Sequence, residues 1–181
     1  MQYERSPGGI LLPKDHLRAM IEGRGRYTGQ IIRRGKIIDE FECKNLVVNE
    51  GLNDMLNTYF NSGTQLTSWY LGVFQGNYNP VATDTAAVIA ANSTECSSYT
   101  SATRPAWTPA SASGQSITNS ASKATFTFNA SQTVYGAFLI SNSTIGGTSG
   151  KLFSAAQFSA SKGVVNLDQL LLTYTFNASS S

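Results

Sequence analysis

The chain reads as a mainly β protein: a β-sandwich or jelly-roll-like domain with one short helix and an extended N-terminal arm. Three observations predict it. After residue 65 the apolar and β-branched residues come in short runs separated by Gly, Asn, Ser and Thr clusters, the signature of many short strands. Only one stretch carries clear helical periodicity. The charges crowd into the first fifty residues, where nine basic side chains face seven acidic ones; residues 51–181 hold four of each. A boundary is therefore expected near residue 50, with an arm over residues 1–49 and a low-charge β domain over residues 50–181.

The arm opens with breakers, Ser6-Pro7-Gly8-Gly9 and Pro13. Lys14 to Glu22 suits a short helix with Leu17, Met20 and Ile21 on one side, ended by Gly23 and Gly25. Tyr27 to Ile32 and Lys36 to Phe41 are β-branched runs around Arg33-Arg34-Gly35, which predicts a hairpin. The extended stretch is expected to run on to Val47-Val48.

In the next segment Leu52, Met55, Leu56 and Tyr59 fall at i, i+3, i+4 and i+7, on one face of a short helix. Asn49 is placed to cap it, and Glu50 suits the positive end of its dipole. Trp69 to Phe74 follows as a strand with both faces apolar. Residues 96–122, rich in Ser, Thr, Ala and Pro, read as loops or short edge strands. Lys123 to Asn129 alternates, with Ala124, Phe126 and Phe128 inward. Val134 to Ile140 is apolar on both faces and is expected at the centre of a sheet. Asn142 to Gly150 is a turn region and Leu152 to Phe158 a further strand. Leu170, Leu172, Tyr174 and Phe176 line one face of the last strand.

Composition narrows the function. The chain has 181 residues, of which 13% are charged, against about a quarter in an average soluble chain. Its surface must then be covered largely by Ser, Thr, Asn and Gln, which hydrate well and generate little field. Cys43 and Cys96 allow at most one bridge, so a disulfide scaffold is excluded; they are expected to pack as small hydrophobes. No apolar run is long enough for a membrane span, and no signal peptide is read at the N-terminus. The single histidine, His16, lies in the arm, which leaves nucleophilic catalysis without a nearby base.

Asp54, Asp84, Glu95 and Asp168 are the only carboxylates after residue 50. A glycoside-hydrolase pair would have to come from them, but Asp84 reads better as a turn residue. Gly146 to Lys151 lacks the Walker spacing, since residue 145 is Ile and residue 152 is Leu. Four Asn-X-Ser/Thr sequons occur, beginning at Asn92, Asn129, Asn142 and Asn177; a chain this rich in Asn, Ser and Thr makes them by chance. No catalytic residues, metal or cofactor are expected. The sharpest electrostatic feature is the basic run in the hairpin. Arg24, Arg26, Tyr27, Arg33, Arg34 and Lys36 are the expected partner-binding residues.

Three segments carry a family resemblance. Lys44-Asn45-Leu46-Val47-Val48-Asn49-Glu50-Gly51-Leu52-Asn53 resembles an entry segment of tailed-bacteriophage virion proteins. Trp69-Tyr70-Leu71-Gly72-Val73-Phe74 with Asn79-Pro80-Val81-Ala82-Thr83-Asp84-Thr85-Ala86 resembles the strand and loop that follow it, and Leu170 to Phe176 the closing strand. The likeness covers roughly residues 44–177 and is shared by decoration, head-fibre and tail-fibre proteins. It implies a non-enzymatic capsid decoration (cement) protein that docks on the major capsid protein through its arm, as a dimer or trimer, on a virion assembled in the bacterial cytoplasm. Neither nucleic acid nor membrane is expected as a partner. The alternative it implies is a fibre module that binds a host receptor or glycan, with Tyr78, Tyr99 and Trp107 available to stack on sugars. An enzyme such as a glycan depolymerase would need Asp84, Glu95 or Asp168.

Overall fold

The computed structural model describes residues 3–5, 11–13 and 21–180, and side chains from residue 23 to residue 179. The helix expected from Lys14 falls largely outside the described residues, as does His16; Ile21 and Glu22 are strand. Near the N-terminus β1 (Tyr3–Arg5) and β2 (Leu11–Pro13) pair antiparallel with each other.

The rest is two five-stranded sheets packed face to face. One holds β4 (Lys36–Lys44), β3 (Ile21–Arg33), β12 (Gln169–Ser180) and β8 (Ser116–Thr118) in that order, with β9 (Ala124–Thr127) also paired to β12. The other runs β5 (Leu46–Val47), β11 (Leu152–Val164), β10 (Gln132–Ile140), β6 (Trp69–Phe74) and β7 (Ala106–Trp107). Tyr27, Ile31, Phe126, Leu170, Leu172 and Tyr174 from the first sheet meet Leu71, Val73, Ala137, Leu139, Ala156 and Phe158 from the second, and all are buried. Each large apolar side chain fully buried here is worth about 1.5–3 kcal/mol. Tyr27 also shares a hydrogen bond of 2.8 Å with the Ser154 hydroxyl, which fixes the two layers in register.

A second cluster lies on the outer face of the β10 sheet. Phe74, Phe138, Ile140, Leu152 and Ala155 are covered there by Val48 and by Ala86 and Ile89 of helix α2 (Ala86–Asn92). This explains why the Val134–Ile140 segment is apolar on both faces: it sits in mid-sheet with a core on each side. Glycines let these layers close up. A Cβ on Gly136 would strike the ring of Phe74 and the Ala156 carbonyl oxygen.

The charge boundary near residue 50 is not a folding boundary. β3 pairs with β12 along its whole length, from Ile21 opposite Ser180 to Ile32 opposite Gln169. The predicted hairpin is present, but it is an integral part of the sandwich. Its inward residues, Tyr27 and Ile31, are core residues, and burying them is what recruits the segment into the sheet. The extended stretch after β4 does not continue in the same sheet. It crosses at Asn45, and β5 pairs with β11 in the opposite layer. The chain then enters α1 (Asn49–Phe60).

Helix α1 begins differently from the expected cap. The N-cap residue is Val48, with no side-chain cap, and the Asn49 backbone N–H donates to the Ala82 carbonyl at 2.8 Å. Glu50 does more than face the helix dipole. Its Oε2 accepts the backbone N–H of Ala86 at 3.1 Å and of Leu152 at 2.8 Å, joining α1, α2 and β11. Helix α2 has only seven residues, too few for sequence periodicity to separate a helix from a loop.

Candidate docking surfaces

The hairpin turn is the first candidate. Arg33 and Lys36 are cross-strand partners, so Arg34 and Gly35 form a two-residue loop. Their φ values of 51° and 75° make it a type I′ turn, the form whose twist matches the strands. Just beyond it the register shifts: Ile32 opposes Ile37, but Ile31 opposes Asp39. Ile38 is the extra residue of a β-bulge. A bulge breaks the in–out alternation, and both Ile37 and Ile38 end up exposed, next to exposed Arg34 and Lys36.

The connection between β11 and β12 reaches the same end of the molecule. Asp168 is 1% exposed and accepts from Arg33 Nε at 2.9 Å and Nη2 at 2.7 Å. It also accepts the Val165 backbone N–H at 2.9 Å. The Arg33 guanidinium holds the Asp168 carboxyl below the usual carboxylate range, against the opposing effect of burial. The clasp sets Val165 and Leu167 beside the hairpin, both exposed, with Leu167 in the left-handed region at φ 71°. The tip is therefore apolar and basic at once.

The six expected partner-binding residues separate into three groups. Arg34 and Lys36 are exposed at the tip, with Arg33 beside them but tied to Asp168. Arg24 and Arg26 are exposed at the far end of β3, where with Glu42, Lys44 and Asn45 they line an open cleft of about 520 Å³. At about 3.3 Å of rise per residue, Arg26 and Arg34 lie roughly 25 Å apart. Tyr27 is the correction. It is completely buried, its ring 4.8 Å from that of Tyr174, and it cannot touch a partner. A pattern of β-branched residues around a basic turn does not say which face of the strand another sheet will cover.

The second candidate is α1. Its apolar positions are not folded inward: Tyr59 is 82% exposed, Phe60 77%, Leu56 50% and Met55 39%, and Gly51 alone is buried. The helix approaches β11 backbone to backbone at that glycine, where a Cβ would lie 2.6 Å from the Phe153 carbonyl oxygen. Between α1 and the sandwich runs an apolar groove of about 290 Å³, lined by Met55, Tyr59, Trp69, Trp107, Phe153 and Phe176 among others.

Of the four carboxylates considered for catalysis, Asp54 lies on α1 at the apolar groove, and the other three have structural partners. Asp84 accepts from the Tyr78 hydroxyl at 2.8 Å and from the Val81 N–H at 2.9 Å, within a turn. Glu95 is paired with Arg104 and accepts the Gly146 N–H at 2.6 Å. Asp168 has its clasp. Among the described residues no cluster of three or more His, Cys, Asp and Glu is placed to hold a metal ion, and no helix is long and apolar enough to cross a membrane. Of the aromatics expected to stack on sugars, Tyr99 is buried against Phe126, and Trp107 is half-buried against Tyr174 with its Nε1–H donating to the Tyr174 carbonyl. Tyr78 is half-buried and holds Asp84. Cys43 and Cys96 are free thiols. Burial pushes Cys43 up to about 11.

No protein-family model matches the chain, and no curated protein matches it.

Proposed function

We propose that the chain is a non-enzymatic virion protein of a tailed bacteriophage, of the decoration (cement) class, that docks on the major capsid protein through its β3–β4 hairpin. The observation that carries the reading is the tip: Arg34, Lys36, Ile37, Ile38 and Leu167 are exposed together at one end of the sandwich. Cations steer and orient the approach to an acidic surface, while the adjacent apolar side chains supply area to bury. The resemblance of residues 44–177 to virion proteins supports the same reading. On a repeating lattice many copies act together, so modest affinity per site suffices for coverage.

The test is co-sedimentation of the purified protein with capsids that lack it. Truncation at residue 49 is unsuitable, because it removes the strand that carries Tyr27 and Ile31. The paired substitution Arg34→Glu with Lys36→Glu is the sharper probe. Saturable binding at many copies per capsid, lost in that variant and weakened by salt, supports the reading. Absence of capsid binding by the parent chain overturns it.

A second reading, a fibre module that binds a host glycan, is favoured by one feature. An open polar groove of about 590 Å³ is lined by Gln75, Gly76, Thr94, Ser131, Gln132, Thr133 and Tyr135. The Gln75 Oε1 atom is buried there with no hydrogen-bond partner among the described residues. Neutral amides and hydroxyls beside a tyrosine suit sugar hydroxyls. Retention of the protein on purified host glycans, lost on Gln75→Ala, is the outcome that would favour it.

A further inference from the structure

We propose that α1 is a self-association face. Two copies pair about a two-fold axis, each laying its Leu56–Tyr59–Phe60 ridge against the groove of the other.

Area comes first. Tyr59 and Phe60 are 82% and 77% exposed; at roughly 150–250 Å² per aromatic side chain, these two rings alone leave on the order of 300 Å² of apolar surface bare. Leu56, Met55 and the groove walls extend the patch past the few hundred Å² that soluble monomers commonly leave open. That is of the order of half the ~800 Å² each partner contributes to a standard interface. Exposed Asn57, Asn61, Thr64 and Gln65 give it a polar rim.

Charge then selects the occupant. Among the described residues that line the groove, Asp54 is the only side chain charged at neutral pH. No Lys or Arg occurs anywhere between Lys44 and Arg104. A strongly acidic partner finds no cation here to pair with and a strongly basic one finds only Asp54, whereas a second copy brings the same apolar face and a single carboxylate, its own Asp54, which stays at the wetted edge of the contact. Shape agrees. Ridge and groove lie side by side on one surface, which is what a two-fold contact requires, since each copy must offer both halves of the fit. This inference does not rest on the hairpin's docking role, and the two surfaces are separate.

Sedimentation velocity of the full chain across a wide concentration range tests it. A monomer–dimer equilibrium is expected, insensitive to salt, unlike docking through the basic tip. Leu56→Ser with Phe60→Ser should weaken it at least about tenfold, with the far-ultraviolet dichroism unchanged, and with the melting temperature unchanged at concentrations where the parent chain is monomeric. A monomer at every concentration overturns the proposal, as do a trimer and a dimer indifferent to these substitutions. So does protection of Tyr59 and Phe60 from hydroxyl-radical labelling in a monomer, which would mean that the N-terminal twenty residues cover the face.

Discussion

Arg104 meets Glu95 inside the protein through two parallel hydrogen bonds, Nε to Oε1 and Nη2 to Oε2, each 2.7 Å. The guanidinium also donates to the Asn142 carbonyl at 2.7 Å and the Gly147 carbonyl at 3.3 Å, and it lies 5.3 Å from the Phe138 ring centroid. With side chains only 0% and 3% exposed, the pair ties the 142–147 turn to the strand end at β6. Removing one partner strands the other in low dielectric. Arg104→Met should cost about 3–5 kcal/mol by denaturant unfolding. Adding Glu95→Gln should recover part of that loss; a double variant no more stable than Arg104→Met alone would count against a charge penalty.

The Asp168–Arg33 clasp predicts an acid dependence. Asp168 has a lowered folded-state pKa, so its stabilising contribution is fully present above the ordinary aspartate range of about 4. It is lost as pH falls from there through the folded value. Asp168→Asn should therefore lower the melting temperature at neutral pH and flatten its fall between neutral and acid conditions. An unchanged slope in the variant would show that other carboxylates carry the acid sensitivity.

The hairpin turn is built on a residue that dislikes its backbone. Arg34 sits at φ 51° and its side chain is exposed at the turn. Asparagine tolerates that conformation and leads the Asn-Gly turn preference. Arg34→Asn should stabilise the protein by several tenths of a kcal/mol, up to about 1 kcal/mol, measured by thermal melts. The same change should weaken capsid docking, so that stability and binding move in opposite directions.

Gly51 gives a test of how α1 is seated. In an exposed helix Gly→Ala gains about 1 kcal/mol. Here the added methyl meets the Phe153 backbone at 2.6–3.0 Å, and backbone cannot swing aside. Overpacking of that kind commonly costs about 1–3 kcal/mol. Net destabilisation by Gly51→Ala is expected, with local loss of hydrogen-exchange protection in α1. A stabilised variant would mean that the helix lifts off freely.

Cys43 should react slowly. With its thiol held near 11 by burial, little thiolate exists at neutral pH. Labelling by a thiol reagent at pH 8 should be much slower than for a free cysteine, and should accelerate on unfolding.

Much of the architecture was legible along the chain, because short-range periodicity reports strands directly. The alternation from Ala124 to Phe128, the two-faced run at Val134–Ile140 and the inward face Leu170–Leu172–Tyr174 all appear as read. Helix α1 appears over Asn49–Phe60. Two kinds of feature escaped. The bulge at Ile38 leaves no local signature, since it is defined by what lies opposite, and α2 is too short to declare a period.

By itself the sequence determined the β class, the position of α1, the hairpin around Arg33-Arg34-Gly35 and the scarcity of charge beyond residue 50. Periodicity, turn chemistry and composition are properties of neighbours in the chain. Only the tertiary structure decided which faces were covered. It placed Tyr27 in the core when β3 paired with β12, split the basic run between two ends of one strand, engaged Arg33 with Asp168, and left the apolar side of α1 in solvent. Burial depends on which distant elements arrive to cover a face. That is settled by long-range pairing, here between residues about 140–160 positions apart, such as Tyr27 and Tyr174 or Ile21 and Ser180.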